Sequence, residues 1–398
     1  MEFRFSQEEE KFRQEIQAFV KDNIPEDKFG HRYEEETDDT AWAFALSISK
    51  KLAEKKWLTI NWPKEYFGMG ASIMQQTVFK EEVGYWGIPG TSMGISGTNW
   101  VGQSIMSFGS DEQKKKYLPA IAAGDPDGVW CTGYSEPDSG TDLASLQTRA
   151  DKVGDEYIIN GQKVWTSCAH RARWLWVACR TKTDVEKKQQ GLSLFIVDMQ
   201  SEGLKVSPLK NIAGMHTFNE LFFNDVKVPA KNLVGIENNG WAHLMKALSF
   251  ERGLAIMYSG TFRRLLDELL VYTKENGLYE KAEIRRKIGE ISVDIEMLKL
   301  LAYESAWKMS KEMKVPYGPP RDKAYSDVVY EKVSRIGLDI LGYYSMMDPL
   351  HKDTPWTKLK GALEHIYWIS PGVALAAGAT FTQRNIVGQF GLQLPRSY

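Results

Sequence analysis

A single carboxylate lies at the centre of an apolar stretch, "ALSFERGLAI", residues 247–256. If this stretch forms one helix, the neighbours of Glu251 three and four positions away are all apolar, namely Ala247, Leu248, Leu254 and Ala255. Burial of an isolated charge is strongly unfavourable. Glu251 must therefore pair with a cation, be protonated, or face a cavity in which its basicity is used. The pattern alone leaves both a salt bridge and a general base open.

Two further segments are rich in groups that bind polar ligands. The loop "YSEPDSGTD", residues 134–142, can offer hydroxyl and backbone N–H groups to a phosphate or to the oxygens of a heterocycle. The segment "VWTS", residues 164–167, places a large aromatic ring beside two hydroxyls, which suits stacking on a flat cofactor. A polar turn and a core tryptophan are the structural alternatives for these two segments.

Other common sites are missing from the sequence. Glycines at positions 84, 87, 90, 94 and 97 do not have the spacing of a phosphate-binding loop, and they indicate either close helix packing or room for a ligand. The six histidines show no HExxH or comparable spacing. The sequence therefore predicts no metal site.

Composition narrows the class of protein. The 398 residues are 43% hydrophobic, and 50 basic against 52 acidic residues give a formal net charge of −2, which favours neither nucleic acid nor an anionic membrane as partner. Three cysteines, Cys131, Cys168 and Cys179, form no CxxC pair and favour a reducing compartment. The first residues lack the features of a signal peptide, and no apolar run is long enough to span a bilayer. We expect a cytoplasmic protein without membrane insertion.

Hydrophobic periodicity divides the chain into three regions. Residues 1–125 have helical spacing, residues 126–235 form short β-rich runs without intervening helices, and residues 236–398 return to helical spacing. This order predicts an α+β multidomain protein with an all-α N-terminal domain, an antiparallel β middle domain and a C-terminal helical bundle.

Local signals support this division. Ser6 with Glu9 is a capping-box pattern, and Asn160-Gly161 is a typical hairpin turn. The spacing of apolar residues alternates between four and three along a C-terminal helix, as in the seam of a bundle, at Ile284, Ile288, Ile291, Ile295, Leu298 and Ala302.

In this order, the segments resemble the acyl-CoA dehydrogenase family. The likeness covers essentially the whole chain and is carried by "YSEPDSGTD", "GDEYIINGQKVWTS", "FNELFFNDVKVP", "GWAHLMKALSFERG" and "TQRNIVGQFGLQLPRS". The resemblance implies a helical N-domain, a β-domain and a C-terminal four-helix bundle. It also implies α,β-dehydrogenation of an acyl-CoA thioester with FAD as oxidant.

By position, the resemblance assigns roles around the flavin. It implies that Tyr134 and Ser135 approach the flavin ring and that Thr141 approaches the FAD pyrophosphate. Trp165 would cover the isoalloxazine, and the Ser167 hydroxyl would point toward flavin N5.

The resemblance also implies residues on the substrate side. Arg252 would lie near the CoA moiety, and Gly378 would belong to the loop that closes on the thioester. The thioester oxygen would be bound by the flavin ribityl hydroxyl and the N–H of Ala377. Trp100 falls in the region that lines the acyl cavity, and a cyclic, aromatic or branched acyl-CoA is the expected substrate class.

The family places its catalytic base in one of two positions. Many members have it immediately before the Gly of "EGTSEIQRN", but here "LAAGATFTQRN" has Ala377 at that point. A second branch, which includes isovaleryl-CoA dehydrogenase-like enzymes, supplies a glutamate from the bundle helix just before an arginine, and Glu251 stands there. The chain therefore resembles a bacterial-type member of the family with its base on the bundle helix. The resemblance thus implies that Glu251 is the α-proton base, with a pKa raised by an apolar pocket.

The resemblance implies partners as well. Electrons would pass to electron-transfer flavoprotein, the enzyme would be a homotetramer built as a dimer of dimers, and its pathway would be fatty-acid or aromatic-acid degradation. One departure keeps alternatives open, because "TKENGLYEKAEIRRKIGEI" has no match to the Arg-x-Phe-Gly that reaches FAD from a neighbouring subunit. This departure motivates one alternative, a subunit of a heteromeric dehydrogenase. A flavin-dependent monooxygenase on the same fold is another alternative, which Glu251 beside Arg252 disfavours.

Overall fold

The structure is a computed structural model that describes residues 4–30, 37–91, 96–249, 253–351 and 354–395. The described residues form two compact units. The first unit takes residues from 1–32, 71–88 and 252–398, and the second takes them from 33–70 and 89–251.

The N-terminal third is helical, as predicted. Its described helices are α1 (Gln7–Asn23), α2 (Asp39–Glu54), α3 (Ile73–Trp86), α4 (Gly102–Phe108) and α5 (Asp111–Ala123), with a π-helix at Ser96–Val101. The Ser6–Glu9 capping box is present, because the Ser6 side chain accepts from the Glu9 N–H while the Glu9 side chain accepts from the Ser6 N–H. Local capping and a clean apolar stripe were sufficient to predict α1.

The glycines of α3 and the following segment allow close packing. A Cβ on Gly84 would overlap the Met257 carbonyl oxygen, and Gly87 ends α3 with a φ of +60°. A Cβ on Gly90 would overlap the Ala45 carbonyl oxygen. Of the two readings left open by the sequence, these contacts support packing. The glycine at position 94 lies outside the described residues.

The middle region is a β-sheet. Its strands are β1 (Trp130–Gly133), β2 (Arg149–Val153), β3 (Glu156–Ser167), β4 (Trp174–Arg180), β5 (Leu192–Asp198), β6 (Leu204–Leu209), β7 (Phe218–Pro229) and β8 (Leu233–Val234). They run in the order β6-β7-β3-β2-β4-β5-β8, and β1 pairs with β4. Most pairs are antiparallel, as predicted, while β1 with β4 and the short β2 with β4 contact are parallel.

The predicted hairpin turn at Asn160-Gly161 is wrong. Both residues lie inside the twelve-residue strand β3, at a register shift against β7. The Asn160 amide bonds across the strands to Asp225, whose backbone N–H donates back to Asn160 Oδ1 at 2.8 Å. The hairpin between β2 and β3 instead turns at Gly154 and Asp155, where Gly154 has a φ of +61°. Cross-strand pairing has overridden the local preference of Asn-Gly for a turn.

Helices return after the sheet. They are α6 (Gly240–Ser249), α7 (Leu254–Glu275), α8 (Ala282–Ser310), α9 (Gly318–Leu341), α10 (Ala362–Leu375) and α11 (Thr380–Ile386). One hydrophobic core joins α7, α8, α9 and α10 into a four-helix bundle. The predicted seam of α8 is confirmed, since Ile288, Ile291, Ile295, Leu298 and Ala302 are buried in that core. Within the described residues, no helix is both long and apolar enough to cross a membrane.

The stretch 247–256 is not one continuous helix. Helix α6 ends at Ser249 and α7 begins at Leu254, with Gly253 between them at a φ of +106°. That backbone conformation suits glycine and cannot continue an α-helix. Glu251 and Arg252 fall in the interval between the two helices and lie outside the described residues.

Candidate active site

Trp165 occupies an irregular point of β3. The pairing of β3 with β7 shifts register between Lys163 and Thr166, so Trp165 lies in a bulge with a φ of +60°. A left-handed backbone is unfavourable for a bulky residue, and such strain clusters at functional sites. The indole is 57% exposed, although its edge packs against Phe218 at 5.8 Å between centroids. The sheet therefore presents a large aromatic surface at the end of a strand.

Ser167 shares this face of the strand. From the bulge to the end of β3 the burial alternates, since Trp165 and Ser167 are exposed whereas Thr166 between them is fully buried. Ser167 is the last residue of β3 and pairs with Phe218 of β7. An exposed hydroxyl thus lies near an exposed ring, whereas the second hydroxyl of "VWTS", that of Thr166, is buried.

The loop at 134–142 adjoins this strand. The Val164 N–H donates to the Ser135 carbonyl oxygen at 2.9 Å, and Lys163 Nζ donates to the Tyr134 carbonyl oxygen at 3.1 Å. These bonds bring Tyr134 and Ser135 next to the segment that carries Trp165. The structure therefore brings together four of the five residues predicted to bind the flavin, counting Ser167.

Thr141, the fifth, lies further along the same loop and is exposed. The turn before it is held internally, since Glu136 and Ser139 exchange backbone hydrogen bonds of 2.9 and 3.1 Å. The Ser139 hydroxyl also donates to the Asp142 carbonyl oxygen at 2.8 Å. A loop with this many internal bonds can hold a polar ligand without first becoming ordered.

A buried ion pair links strand β3 to the loop 134–142. Lys163 is fully buried, and its Nζ lies 2.8 Å from Glu136 Oε1. The Glu136 carboxylate also accepts from the N–H groups of Gln147 at 2.6 Å and Thr148 at 2.8 Å. Burial opposes ionisation of Glu136, but the Lys163 ammonium and these donors outweigh it and lower the pKa of the carboxyl.

Asn219 of β7 lies behind the bulge. It is fully buried, and its Nδ2 donates to the Thr166 carbonyl oxygen at 3.2 Å. Its amide also bridges His170 at 3.2 Å and His216 at 2.8 Å, two rings that stack at 4.0 Å between centroids. The hydrogen bond from Asn219 of β7 thus fixes the backbone that carries Trp165 and Ser167.

Trp100 lies in the π-helix Ser96–Val101 of the same unit. Single-turn π-helices are frequent at functional sites. Its ring is half-buried, and its Nε1 is buried without a hydrogen-bond partner among the described residues. Buried polar groups without a partner are rare in native proteins, so this N–H marks the position for functional interest.

Ala377 and Gly378 lie in the first unit, in the loop between α10 and α11. Both have left-handed backbones, with φ values of +53° and +84°, and Gln383 Nε2 donates to each of their carbonyl oxygens at 3.3 Å. The strained conformation of Ala377 marks this loop as a candidate functional segment.

A polar network anchors the same loop to the bundle. The Thr380 hydroxyl lies 2.5 Å from Asp327 Oδ2 and 3.1 Å from the Ala374 carbonyl oxygen. Lys323 Nζ bonds both Asp327 oxygens at 2.7 Å and the Val373 carbonyl oxygen at 2.9 Å. The two ends of the loop are therefore tied to one buried carboxylate of α9.

The supporting residues were missed by sequence reasoning. Lys163 and Glu136 are 27 positions apart, and a lysine in a strand gives no sign of burial. Lys323 and Asp327 have the spacing of an ordinary surface pair on a helix, and Asn219 stands in an unremarkable strand. Their function depends on tertiary partners, for which no local signal exists.

Comparisons with known proteins agree on one family. Family models for the N-terminal, middle and C-terminal domains of acyl-CoA dehydrogenases match residues 6–125, 131–226 and 238–392. The chain belongs to the acyl-CoA dehydrogenase family. It is 35% identical over 353 residues to "Acyl-CoA dehydrogenase FadE26" of Mycobacterium tuberculosis, an alignment that covers 86% of each chain.

Solved acyl-CoA dehydrogenases have the same fold. A structure described as "Tcur3481-Tcur3483 steroid ACAD" is 32% identical with a TM-score of 0.91, and the match covers 100% of both chains. The ChsE4-ChsE5 complex from Mycobacterium tuberculosis is 30% identical with a TM-score of 0.86, again over 100% of both chains. The predicted family and three-part fold are confirmed.

This acyl-CoA dehydrogenase is an oxidoreductase that acts on acyl-CoA, and its cofactor is FAD. The described residues fit that cofactor. The exposed, strained Trp165 offers a flat apolar surface, and the hydroxyl of Ser167 and the loop that begins at Tyr134 offer polar groups beside it.

Proposed function

We propose that this acyl-CoA dehydrogenase removes the α-proton of its substrate with Glu251 and holds the flavin with the residues around Trp165. The observation that carries the proposal is the bulge at Trp165, where an exposed ring and the exposed Ser167 hydroxyl share one face of β3. FAD, when bound, supplies the acceptor for the β-hydride. The chain supplies the catalytic base, the contacts that orient flavin and substrate, and the hydrogen-bond donor to the thioester oxygen.

The flavin contacts follow from this placement. Trp165 would pack on the isoalloxazine, and Ser167 would donate its hydroxyl to the ring. Tyr134 and Ser135 would contact the ring from the adjoining loop, and the Thr141 hydroxyl would bind the pyrophosphate. Support comes from the bonds that fix Ser135 and Tyr134 beside β3, at 2.9 and 3.1 Å.

The thioester contacts involve the loop between α10 and α11. The Ala377 N–H donates to the thioester carbonyl oxygen, where negative charge develops as the α-proton leaves. Gly378 provides the close backbone approach in the same loop, and Arg252 contacts the CoA moiety. Support comes from the left-handed backbone of Ala377 and Gly378 and from the anchoring of their loop to Asp327.

We propose that the acyl group is a bulky ring system, within the cyclic, aromatic or branched class expected from the sequence. In this proposal Trp100, half-buried in the π-helix Ser96–Val101, lines the acyl site, as the family resemblance implies. The 32% identity to a steroid acyl-CoA dehydrogenase over the full length of both chains favours a polycyclic acyl-CoA.

The proposal also covers the subunit assembly, the electron acceptor and the cellular location of the enzyme. The electrons pass to electron-transfer flavoprotein, and the enzyme is a homotetramer whose domains are residues 1–125, 126–235 and 236–398. The alternative is one subunit of a heteromeric dehydrogenase, which the similarity to the ChsE4-ChsE5 complex supports. Cytoplasmic location is consistent with the three cysteines, which are all buried free thiols.

A panel of acyl-CoA thioesters tests the activity. The purified chain is expected to be yellow with stoichiometric flavin, and anaerobic addition of a steroid-type or other cyclic acyl-CoA should bleach the flavin absorbance. A linear acyl-CoA of similar mass is the matched control and should bleach it more slowly. Absence of bleaching by every thioester would overturn the proposal, and flavin bound only after addition of a second subunit would favour the heteromeric alternative.

A further inference from the structure

The π-helix Ser96–Val101 is bonded to a tryptophan from a distant part of the sequence. The Trp62 indole Nε1 donates to the carbonyl oxygen of Thr98, inside this helix, at 2.7 Å. Trp62 is fully buried, and both residues belong to the second unit. Loss of the donor would leave a buried carbonyl without this partner, which is unfavourable. The hydrogen bond therefore ties the position of the π-helix to the position of one buried ring.

The Trp62 ring also fills the space at the end of the π-helix. A Cβ on Gly102, the first residue of α4, would lie 2.0 Å from Trp62 Cζ2 and 2.5 Å from Cη2. Only glycine at this position lets the ring approach the helix backbone so closely. Val101 and Ile105, which flank Gly102, share one hydrophobic core with Trp62. The indole is thus packed at the junction of the π-helix and α4.

The backbone of Trp62 is held in a tight turn of its own. Its N–H donates to the Thr59 carbonyl oxygen at 3.0 Å, and its carbonyl oxygen accepts from the Gly70 N–H at 2.9 Å. A Cβ on Gly68 would lie 2.0 Å from the same carbonyl oxygen. The Trp62 side chain therefore projects from an ordered turn and provides a fixed support for the π-helix.

A π-helix changes the direction of the side chains that it carries. Its hydrogen bonds span five residues where those of an α-helix span four, and one residue corresponds to a rotation of about 100° around an α-helix axis. Within Ser96–Val101, Asn99 and Trp100 are half-buried and the other four residues are buried. A return of this segment to α-helical hydrogen bonding would rotate Trp100 relative to α4.

We propose that Trp62 is a positioning residue for acyl-group selectivity, because it holds the π-helix that orients Trp100. The inference rests on the proposed function, in which Trp100 lines the acyl site. Trp62 acts through the backbone of the π-helix, which its ring contacts at Thr98 and Gly102. Its removal should therefore change the choice of acyl group and leave flavin binding intact.

Steady-state kinetics of Trp62→Phe test this role. The substitution removes the N–H donor and the outer part of the indole ring, while a buried aromatic ring remains. The ratio of kcat/KM for a cyclic acyl-CoA to that for a linear acyl-CoA should fall about 3–10-fold, the size expected from loss of one hydrogen bond. The change should lie mainly in KM, because Trp62 orients a contact to the acyl group and not the proposed base.

Trp176→Phe is the matched control. Trp176 is fully buried in the same core as Trp62, and its Nε1 has no hydrogen-bond partner among the described residues. The two substitutions remove the same atoms from one core, but only Trp62→Phe breaks a hydrogen bond to the π-helix. Trp176→Phe should leave the selectivity ratio unchanged, and both variants should retain stoichiometric flavin.

Gly102→Ala is a second variant that acts on the same contact. Its methyl group would overlap the outer indole ring, so it should lower the ratio as Trp62→Phe does. Added to Trp62→Phe it should have a smaller effect than in the wild type, because phenylalanine lacks Cζ2 and Cη2 of the indole. Hydrogen exchange of the backbone amides in residues 96–105 should be faster in both single variants but not in Trp176→Phe.

The outcomes separate this inference from the proposed function. An unchanged or raised ratio in Trp62→Phe, or equal changes in Trp62→Phe and Trp176→Phe, overturns the inference while the wild type remains active. If Trp62→Phe does not fold, Gly102→Ala provides the same comparison. Absence of flavin bleaching by every acyl-CoA in the wild type overturns the proposed function and this inference with it.

Discussion

Lys163 and Glu136 form an ion pair inside the β-sheet unit, with Nζ 2.8 Å from Oε1 and the lysine fully buried. Lys163 stands two residues before Trp165 in β3, whereas Glu136 follows Ser135 in the loop. The pair thus joins the two segments that we assign to the flavin. Because each charge is removed from water, neither residue can be altered without leaving the other uncompensated.

Lys163→Met should lower the free energy of unfolding by about 3–5 kcal/mol, because it leaves the Glu136 charge buried without its cation. Two backbone donors to Glu136 remain, which favours the lower end of that range. Chemical denaturation measures the change. Lys205→Met, at an exposed position of β6, is the control and should stay within about 0.5 kcal/mol of wild type. Equal stability of both variants would contradict the role of the pair.

Trp165→Gly should separate the effect of backbone strain at position 165 from the effect of the side chain on flavin binding. Glycine accepts the φ of +60° without strain, so stability of the flavin-free protein should change by less than about 1 kcal/mol despite the lost side chain. Flavin retention after gel filtration should fall, because the stacking surface is gone. Phe222→Gly, at an exposed aromatic of β7, is the control and should retain flavin. Full flavin occupancy in Trp165→Gly would argue against stacking at this position.

Local signals predicted those elements whose structure is fixed by neighbouring residues. The capping box of α1 and the apolar seam of α8 follow from contacts within one helix and one face. Asn160-Gly161 failed because pairing with β7, more than fifty residues away, decides the conformation of β3. The continuous helix through Glu251 failed because Gly253 takes a φ of +106°, which the helical spacing of its neighbours does not reveal.

The residues of the candidate site also divide into those that the sequence indicated and those that only the tertiary structure reveals. The segments that contain Trp165, Ser167, Tyr134 and Ser135 were singled out by residue type, and the resemblance to the family assigned the individual roles. The structure places these four residues around one bulge. Lys163 and Asn219, which hold that bulge, were not found, because a buried polar side chain is recognised only by the partner that satisfies it.

The pH dependence of the isolated subunit should report on Glu364. Glu364 of α10 is only 1% exposed, and this burial raises the folded-state pKa of its carboxyl from the ordinary value of 4.5 to about 7, so the folded protein binds the proton more tightly than the unfolded chain does. This contribution to stability is complete below 4.5 and is lost as the pH rises through about 7. Denaturation at protein concentrations below the dissociation constant of the proposed tetramer measures it.

Glu364→Gln provides the comparison for that measurement. The glutamine cannot ionise, so the variant should lose the decline in stability between pH 4.5 and about 7. Other carboxylates remain unchanged in this variant, and the difference between the two curves isolates Glu364. Superimposable curves for wild type and variant would show that Glu364 does not titrate in this window.

Thr380→Val should loosen the loop that carries Ala377. The change keeps the shape of the side chain and removes the hydroxyl that bonds Asp327 and Ala374. Loss of a hydrogen bond to a charged group corresponds to about 1.5–3 kcal/mol of stability. Turnover should fall while flavin content stays constant, because Thr380 positions the loop and does not contact the flavin. Thr382→Val, on the same helix outside this network, is the control, and equal turnover in both variants would refute the positioning role.

Glu251→Gln is the sharpest test of the proposed base. The amide keeps the volume and removes the basicity, so flavin binding should persist while flavin reduction by acyl-CoA slows by about 10²–10⁴-fold. A carboxylate that served only as half of a buried salt bridge would behave differently, since the same change would leave its partner's charge unpaired and activity would fall only as folding fails. Anaerobic stopped-flow spectroscopy and thermal unfolding together separate these outcomes.

Rescue from the other candidate position extends the test. Ala377→Glu, combined with Glu251→Gln, places a carboxylate where many members of the family keep theirs, immediately before Gly378. Partial recovery of flavin reduction is expected, because in the proposed site a carboxylate at either position would reach the same α-carbon of the substrate. Recovery should be incomplete, since the left-handed backbone at Ala377, with a φ of +53°, disfavours a larger side chain. If Glu251→Gln alone reduced its flavin at the wild-type rate, Glu251 could not be the base, whatever the double variant did.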